Sequence, residues 1–162
     1  MSSHWYVVAN QTEAKIFSSV SKDFRGQGNK NSLELIKVLE NPAGQEKSRD
    51  FFRKQPGIGM RSLGKRGGVA RYAEGKRSDP HEEVAKEFAK KISKYLEKCR
   101  QHADFDYLSI VAEPHFLGKL RSELSAATER KVSDWIKKDL HKASNARLEK
   151  HLLITKNESV SA

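Results

Sequence analysis

The chain has 162 residues, enough for one domain with a real core that needs no disulfide or metal to hold it. Hydrophobic residues make up 36% and charged residues 32%, a polar but globular balance that excludes a disordered chain. Thirty-one Lys and Arg against 21 Asp and Glu leave a formal charge of +10, which favours polyanionic partners: RNA, DNA or an anionic membrane face.

The single cysteine, Cys99, excludes an internal disulfide and a zinc cluster, and reads as a buried structural thiol. No cofactor and no metal are expected. Met1 to Trp5 lacks a basic region followed by an apolar run, so no signal peptide is read. No stretch approaches the ~20 apolar residues of a membrane span. The expected location is the cytoplasm.

In chain order, Trp5 to Ala9 reads as a first strand, buried on both faces. Asn10-Gln11-Thr12 is a turn, and Ala14 to Val20 is a second strand, the hairpin partner of the first. Ser21 to Ser32 reads as a polar loop. Leu33 to Glu40 shows neither helical nor strand period cleanly; its shortness and the stop at Asn41-Pro42 favour a strand.

The span 42–80 is unusual. It holds ten Lys or Arg against four Asp or Glu, and seven of the ten glycines. Ordinary loops run to about 4–6 residues, and much longer ones are usually functional or disordered. Asp79, Pro80 and Glu82 then form a capping-box pattern that starts a helix. Val84, Ala85, Phe88, Ile92, Tyr95, Leu96 and Cys99 give that helix one apolar face through about Arg100, and Glu87 and Lys91 suit an i,i+4 pair on the other.

Asp106 to Ala112 is a continuous apolar run, the pattern of a buried strand. Pro114 opens a second helix with Phe116, Leu117, Leu120 and Leu124 on one face. Arg130 to Leu140 fits a helix by the spacing of Val132, Trp135, Ile136 and Leu140, and fits a short edge strand equally. A last helix is expected over Asn145 to Leu152. Residues 1–155 form one α/β domain on this reading, with 42–80 as a loop insertion and 156–162 as a flexible tail.

Three clusters hold candidate chemistry. Gly67 and Gly68 allow close backbone approach to a ligand, and Lys65, Arg66, Arg71, Lys76 and Arg77 can neutralise phosphates around them. The spacing fits neither a Walker A loop nor a dinucleotide fingerprint. Asp79, Pro80, His81 and Glu82 make the second cluster, read first as helix capping, with His81 and Glu82 as acid–base candidates. In the third, Glu113, Pro114 and His115 sit at the end of the apolar strand, where ligands gather in α/β folds. Phe116 and Leu117 read as core, and Gly118 as a point of close helix packing. No serine or cysteine nucleophile stands in a recognisable setting, and the other histidines read as ordinary.

Residues 5–15 (WYVVANQTEAK), 78–83 (SDPHEE), 112–121 (AEPHFLGKLR) and 138–140 (KDL) together resemble the bacterial host attachment protein family, described as required for attachment to host cells. Asp79, Pro80, His81, Glu82, Phe116, Gly118 and Arg121 carry the motif; His115 departs from it, where the family has a basic or small apolar residue. That family is similar to the central domain of archaeal and eukaryotic class-I release factors. The resemblance implies an RNase H-like mixed sheet of about five strands flanked by about three helices, and a strand at the end of 130–140. It also places the basic loop where release factors carry a Gly-Gly-Gln loop. Val69 stands where that glutamine would be, so release-factor hydrolysis is not expected, whereas contact with the ribosome, tRNA or other RNA is. The rival readings are a factor for host attachment, direct or indirect, and a hydrolase using His81 or His115 with Glu82 or Glu113.

Overall fold

The computed structural model describes residues 3–22, 30–45 and 79–158. Five strands form one mixed sheet: β1 (His4–Ala9), β2 (Glu13–Lys22), β3 (Lys30–Glu40), β4 (Tyr107–Ala112) and β5 (Val132–Lys137). Their order is β3-β2-β1-β4-β5. β1 and β2 are the expected hairpin, β3 adds antiparallel to β2, and β4 and β5 run parallel to β1. Four α-helices lie among the described residues: α1 (Pro80–Gln101), α2 (Pro114–Glu123), the short α3 (Ala126–Glu129) and α4 (Asn145–Glu158).

β1 is apolar at nearly every position because both faces of the sheet are covered. Trp5, Val7 and Ala9 join the core under α1 and α2, with Ile110, Phe88, Ile92, Leu96 and Phe116. Tyr6 and Val8 join the opposite core, with Phe17, Val111, Leu148 and Leu152 of α4. Each large apolar side chain fully buried here contributes about 1.5–3 kcal/mol relative to exposure.

Both ambiguous segments of the sequence contain a register shift. Ile16 pairs with Lys37 and Phe17 with Leu35, so Ile36 faces no partner residue. That extra residue turns Leu33 toward the α4 core and Leu39 toward the α1 core. In β5, Leu108 pairs with Val132 and Ser109 with Asp134, which leaves Ser133 over. Val132 and Trp135 therefore share a face at a spacing of three, which imitates a helix. The strand, not the helix, is what forms.

Other expectations shift at their edges. The strand at 33–40 begins at Lys30, inside the expected polar loop, and residues 23–29 lie outside the described residues. Residues 42–45 form a 3-10 turn rather than irregular loop. The last helix reaches Glu158, three residues into the expected tail; 159–162 lie outside the described residues. Lys90, not Lys91, pairs with Glu87 at 3.3 Å, and Lys91 Nζ donates to the Glu40 carbonyl at 3.3 Å. Gly118 is not a packing contact: a Cβ there would meet nothing within 4 Å.

Candidate functional site at the carboxyl edge of the sheet

The parallel strands β1 and β4 end side by side, with Ala9 opposite Ala112, and β5 ends beside them with Lys137 opposite Ala112. The turn after β1 is built on Asn10. Its side-chain carbonyl accepts from the backbone N–H groups of Thr12 and Glu13, both at 2.8 Å, and from the Thr12 hydroxyl at 2.9 Å. The turn thus has a fixed shape. Its Gln11 carbonyl accepts from the Asn41 amide at 2.9 Å, and Thr12 accepts from the Asn41 N–H at 2.7 Å. Gly44 follows because nothing larger fits: a Cβ there would lie 2.2 Å from the Gln11 carbonyl oxygen.

Asp79 caps α1, accepting from the His81 N–H at 3.0 Å, with Pro80 in the first turn as expected. The Glu82 side chain joins the next helix: its Oε1 lies 3.2 Å from His115 Nε2 and its Oε2 accepts from Lys119. The hydrogen bond from Lys119 holds the Glu82 carboxyl below its ordinary range, assisted by the charges of Lys119 and His115. Glu113, which precedes α2, accepts from the Gln11 amide at 3.4 Å.

α1 and α2 run side by side in the same direction. Glu82 meets His115 and Lys119, Phe88 meets Phe116 with ring centroids 6.0 Å apart, and Ser93 Oγ donates to the Glu123 carbonyl at 2.7 Å. At the far end, Glu97 accepts from Arg100 and from the hydroxyls of Ser125 and Thr128, both at 2.6 Å. Those bonds, led by Arg100, hold its carboxyl far below the usual carboxylate range. Arg121 is peripheral: it bonds Glu129 at 3.0 Å and lies over the Trp135 ring at 5.1 Å.

The structure therefore joins Glu82 to His115 and adds Lys119, and separately joins Gln11 to Glu113. His81 contributes its backbone N–H to the cap. Phe116 and Leu117 are core. Lys65, Arg66, Gly67, Gly68, Arg71, Lys76 and Arg77 lie outside the described residues. The segment that holds them leaves the described chain after Gln45 and rejoins it at Asp79, the cap of α1.

Glu82 and His115 resemble half of an acid–base pair, but a reaction needs further converging groups. Both side chains are substantially exposed, at 43% and 60%. A surface cavity of about 220 Å³ lies elsewhere, lined by Asp139, Leu140, His141, Lys142, Ala143 and Arg147. Among the described residues no group of three His, Cys, Asp or Glu could hold a metal ion. No helix among them is long and apolar enough to cross a membrane.

A second polar group escaped the sequence reading, which took His4 as ordinary. His4 and Ser109 are buried on adjacent strands with His4 Nε2 2.7 Å from Ser109 Oγ, and that hydroxyl donates to Asp134 at 3.1 Å. Ser109 is 1% exposed and gives its hydroxyl hydrogen bond to the carboxylate, so this is not a nucleophile triad. Tyr6 stacks on His4 at 4.6 Å, and burial, with Asp134 nearby, pushes its phenol up to about 12.

A mixed α/β sheet whose carboxyl edge is closed by a capped helix, a rigid Asn10 turn and an interhelical Glu–Lys–His cluster defines the class of this protein. The chain belongs to the family described as "Protein required for attachment to host cells", whose model matches residues 5–152. No curated protein matches the sequence significantly.

Proposed function

We propose that this host-attachment-family protein is a binding protein rather than an enzyme, and that it contacts RNA or the ribosome in the cytoplasm through the basic Gly-Gly segment around Lys65–Arg77. The carrying observation is the charge distribution: 42–80 holds a net +6 of the chain's +10 in under a quarter of its length. Gly67 and Gly68 give close backbone approach, and Lys65, Arg66, Arg71, Lys76 and Arg77 neutralise phosphates. Val69 offers no polar group to position water, so release-factor hydrolysis is absent from this reading. The Glu82–Lys119–His115 cluster fits a binding role as well, because it fixes the helix start into which the basic segment runs.

Fluorescence anisotropy with labelled tRNA tests this. Binding should weaken linearly in log–log against salt, by about 0.7–0.9 per neutralised phosphate. Lys65/Arg66/Arg71→Ala should lose most of the affinity, whereas salt-insensitive binding or an unaffected variant would count against it.

A second reading is favoured by the family description: a role in attachment to host cells, direct or through another component. Recovery of the protein outside intact cells, without lysis markers, would favour it.

A further inference from the structure

We propose that the solvent face of α1 is a second nucleic-acid surface, one that docks the phosphate backbone of duplex RNA. It deepens the RNA reading above and rests on residues separate from the basic segment.

Lys86, Lys90, Lys94 and Lys98 recur every four residues along α1, with Lys91 beside them. At 3.6 residues per turn they form one stripe, about 18 Å long at 1.5 Å per residue. Lys86, Lys91, Lys94 and Lys98 are exposed. The opposite face of the same helix, Ala85, Phe88, Ala89, Ile92, Leu96 and Cys99, is buried in the core. Glu83 and Glu87 also lie on the solvent side of the first turns, and Glu87 is engaged by Lys90 at 3.3 Å. Lys91 reaches the Glu40 carbonyl. Lys86, Lys94 and Lys98 therefore supply the main outward charge.

The chemistry of this face selects among polyanions. A helix that lies on a bilayer must bury an apolar face in it, and the apolar face of α1 is already used. A single-stranded nucleic acid is gripped by aromatic stacking as well as charge, and the ring of Tyr95 packs against the core instead. A row of cations without aromatics, inclined to the helix axis, fits the backbone of a duplex, which presents one phosphate per about 1.7 Å of axis over the same length. Such contacts position the duplex and read no sequence.

The test is a salt series of anisotropy measurements on the full chain with a labelled RNA hairpin duplex. Three proteins run beside wild type: Lys86/Lys94/Lys98→Gln, a control Lys131/Lys137/Lys142→Gln of equal charge change, and Lys65/Arg66/Arg71→Ala. Glutamine matches lysine in helix propensity, and a melting curve checks that each variant folds. The α1 variant should lower the salt slope by about three, one per lysine, and the control should not. An unchanged slope, or an equal loss in the control, overturns the α1 surface. If the slope survives the α1 changes and falls only with Lys65/Arg66/Arg71→Ala, the basic segment stands and the α1 surface does not. If wild type binds neither duplex nor tRNA, both readings fall. Binding to anionic vesicles in place of the hairpin would overturn the choice of partner.

Discussion

Glu82 Oε1 and His115 Nε2 stand 3.2 Å apart and tie the first turn of α1 to the first turn of α2. With Lys119 on the other carboxylate oxygen, the group acts as an interhelical clamp rather than a helix cap. Glu82→Gln should therefore lower the melting temperature modestly, and added salt should narrow the gap to wild type, because the cluster is partly exposed. A calorimetric melt at two ionic strengths checks this; an unchanged melting temperature at low salt would remove the clamp from the account.

Glu97 contributes to the acid response. Its carboxyl is held far down in the folded protein, so the unfolded chain takes up the proton first, at about 4.3. The stabilisation is complete above that value and is lost as pH falls below it. Glu97→Gln should flatten the stability–pH curve below about pH 4.3 relative to wild type. Urea melts across that range read it, and identical curves would contradict the assignment.

The alkaline side has its own signature. Burial raises Tyr6 and Tyr95 to about 12, so the unfolded chain loses its phenol protons at about 10 while the folded protein keeps them. Stability should fall as pH rises from about 10 toward 12. Tyrosinate absorbance should show Tyr6 and Tyr95 titrating late in the folded protein, and Tyr6→Phe should remove one late-titrating phenol.

Two glycines predict opposite outcomes. Gly118 sits in a helix interior with open space about it, so Gly118→Ala should stabilise by about 0.5–1 kcal/mol. Gly44 approaches the Gln11 carbonyl closely, so Gly44→Ala should cost about 1–3 kcal/mol. Denaturant midpoints decide both, and a stabilising Gly44→Ala would mean that the Asn10 turn is not rigid.

Much of the fold was legible in the sequence where the local rules agree. Pro80 and Asp79 mark the start of α1, and the spacing of Phe88, Ile92 and Leu96 marks its buried face. The hairpin of β1 and β2 and the buried run of β4 were equally plain. β3 and β5 were not, for one physical reason: a bulge at Ile36 and another at Ser133 each shift the phase of the alternating pattern, so no single period fits. The candidate site was legible only in pieces. Both motifs were visible, but the meeting of Glu82 with His115 and Lys119 depends on two helices packing in parallel. The turn held by Asn10 and Asn41 depends on strand pairing. His4 and Ser109 meet only across adjacent strands, which no local spacing reveals.

The most direct measurement of the central claim is co-sedimentation with ribosomes from lysate at near-physiological salt, wild type beside Lys65/Arg66/Arg71→Ala. The account predicts that wild type pellets with ribosomes and the variant stays in the supernatant. Wild type remaining wholly in the supernatant, with ribosomes intact, would contradict it and turn the search to the cell envelope.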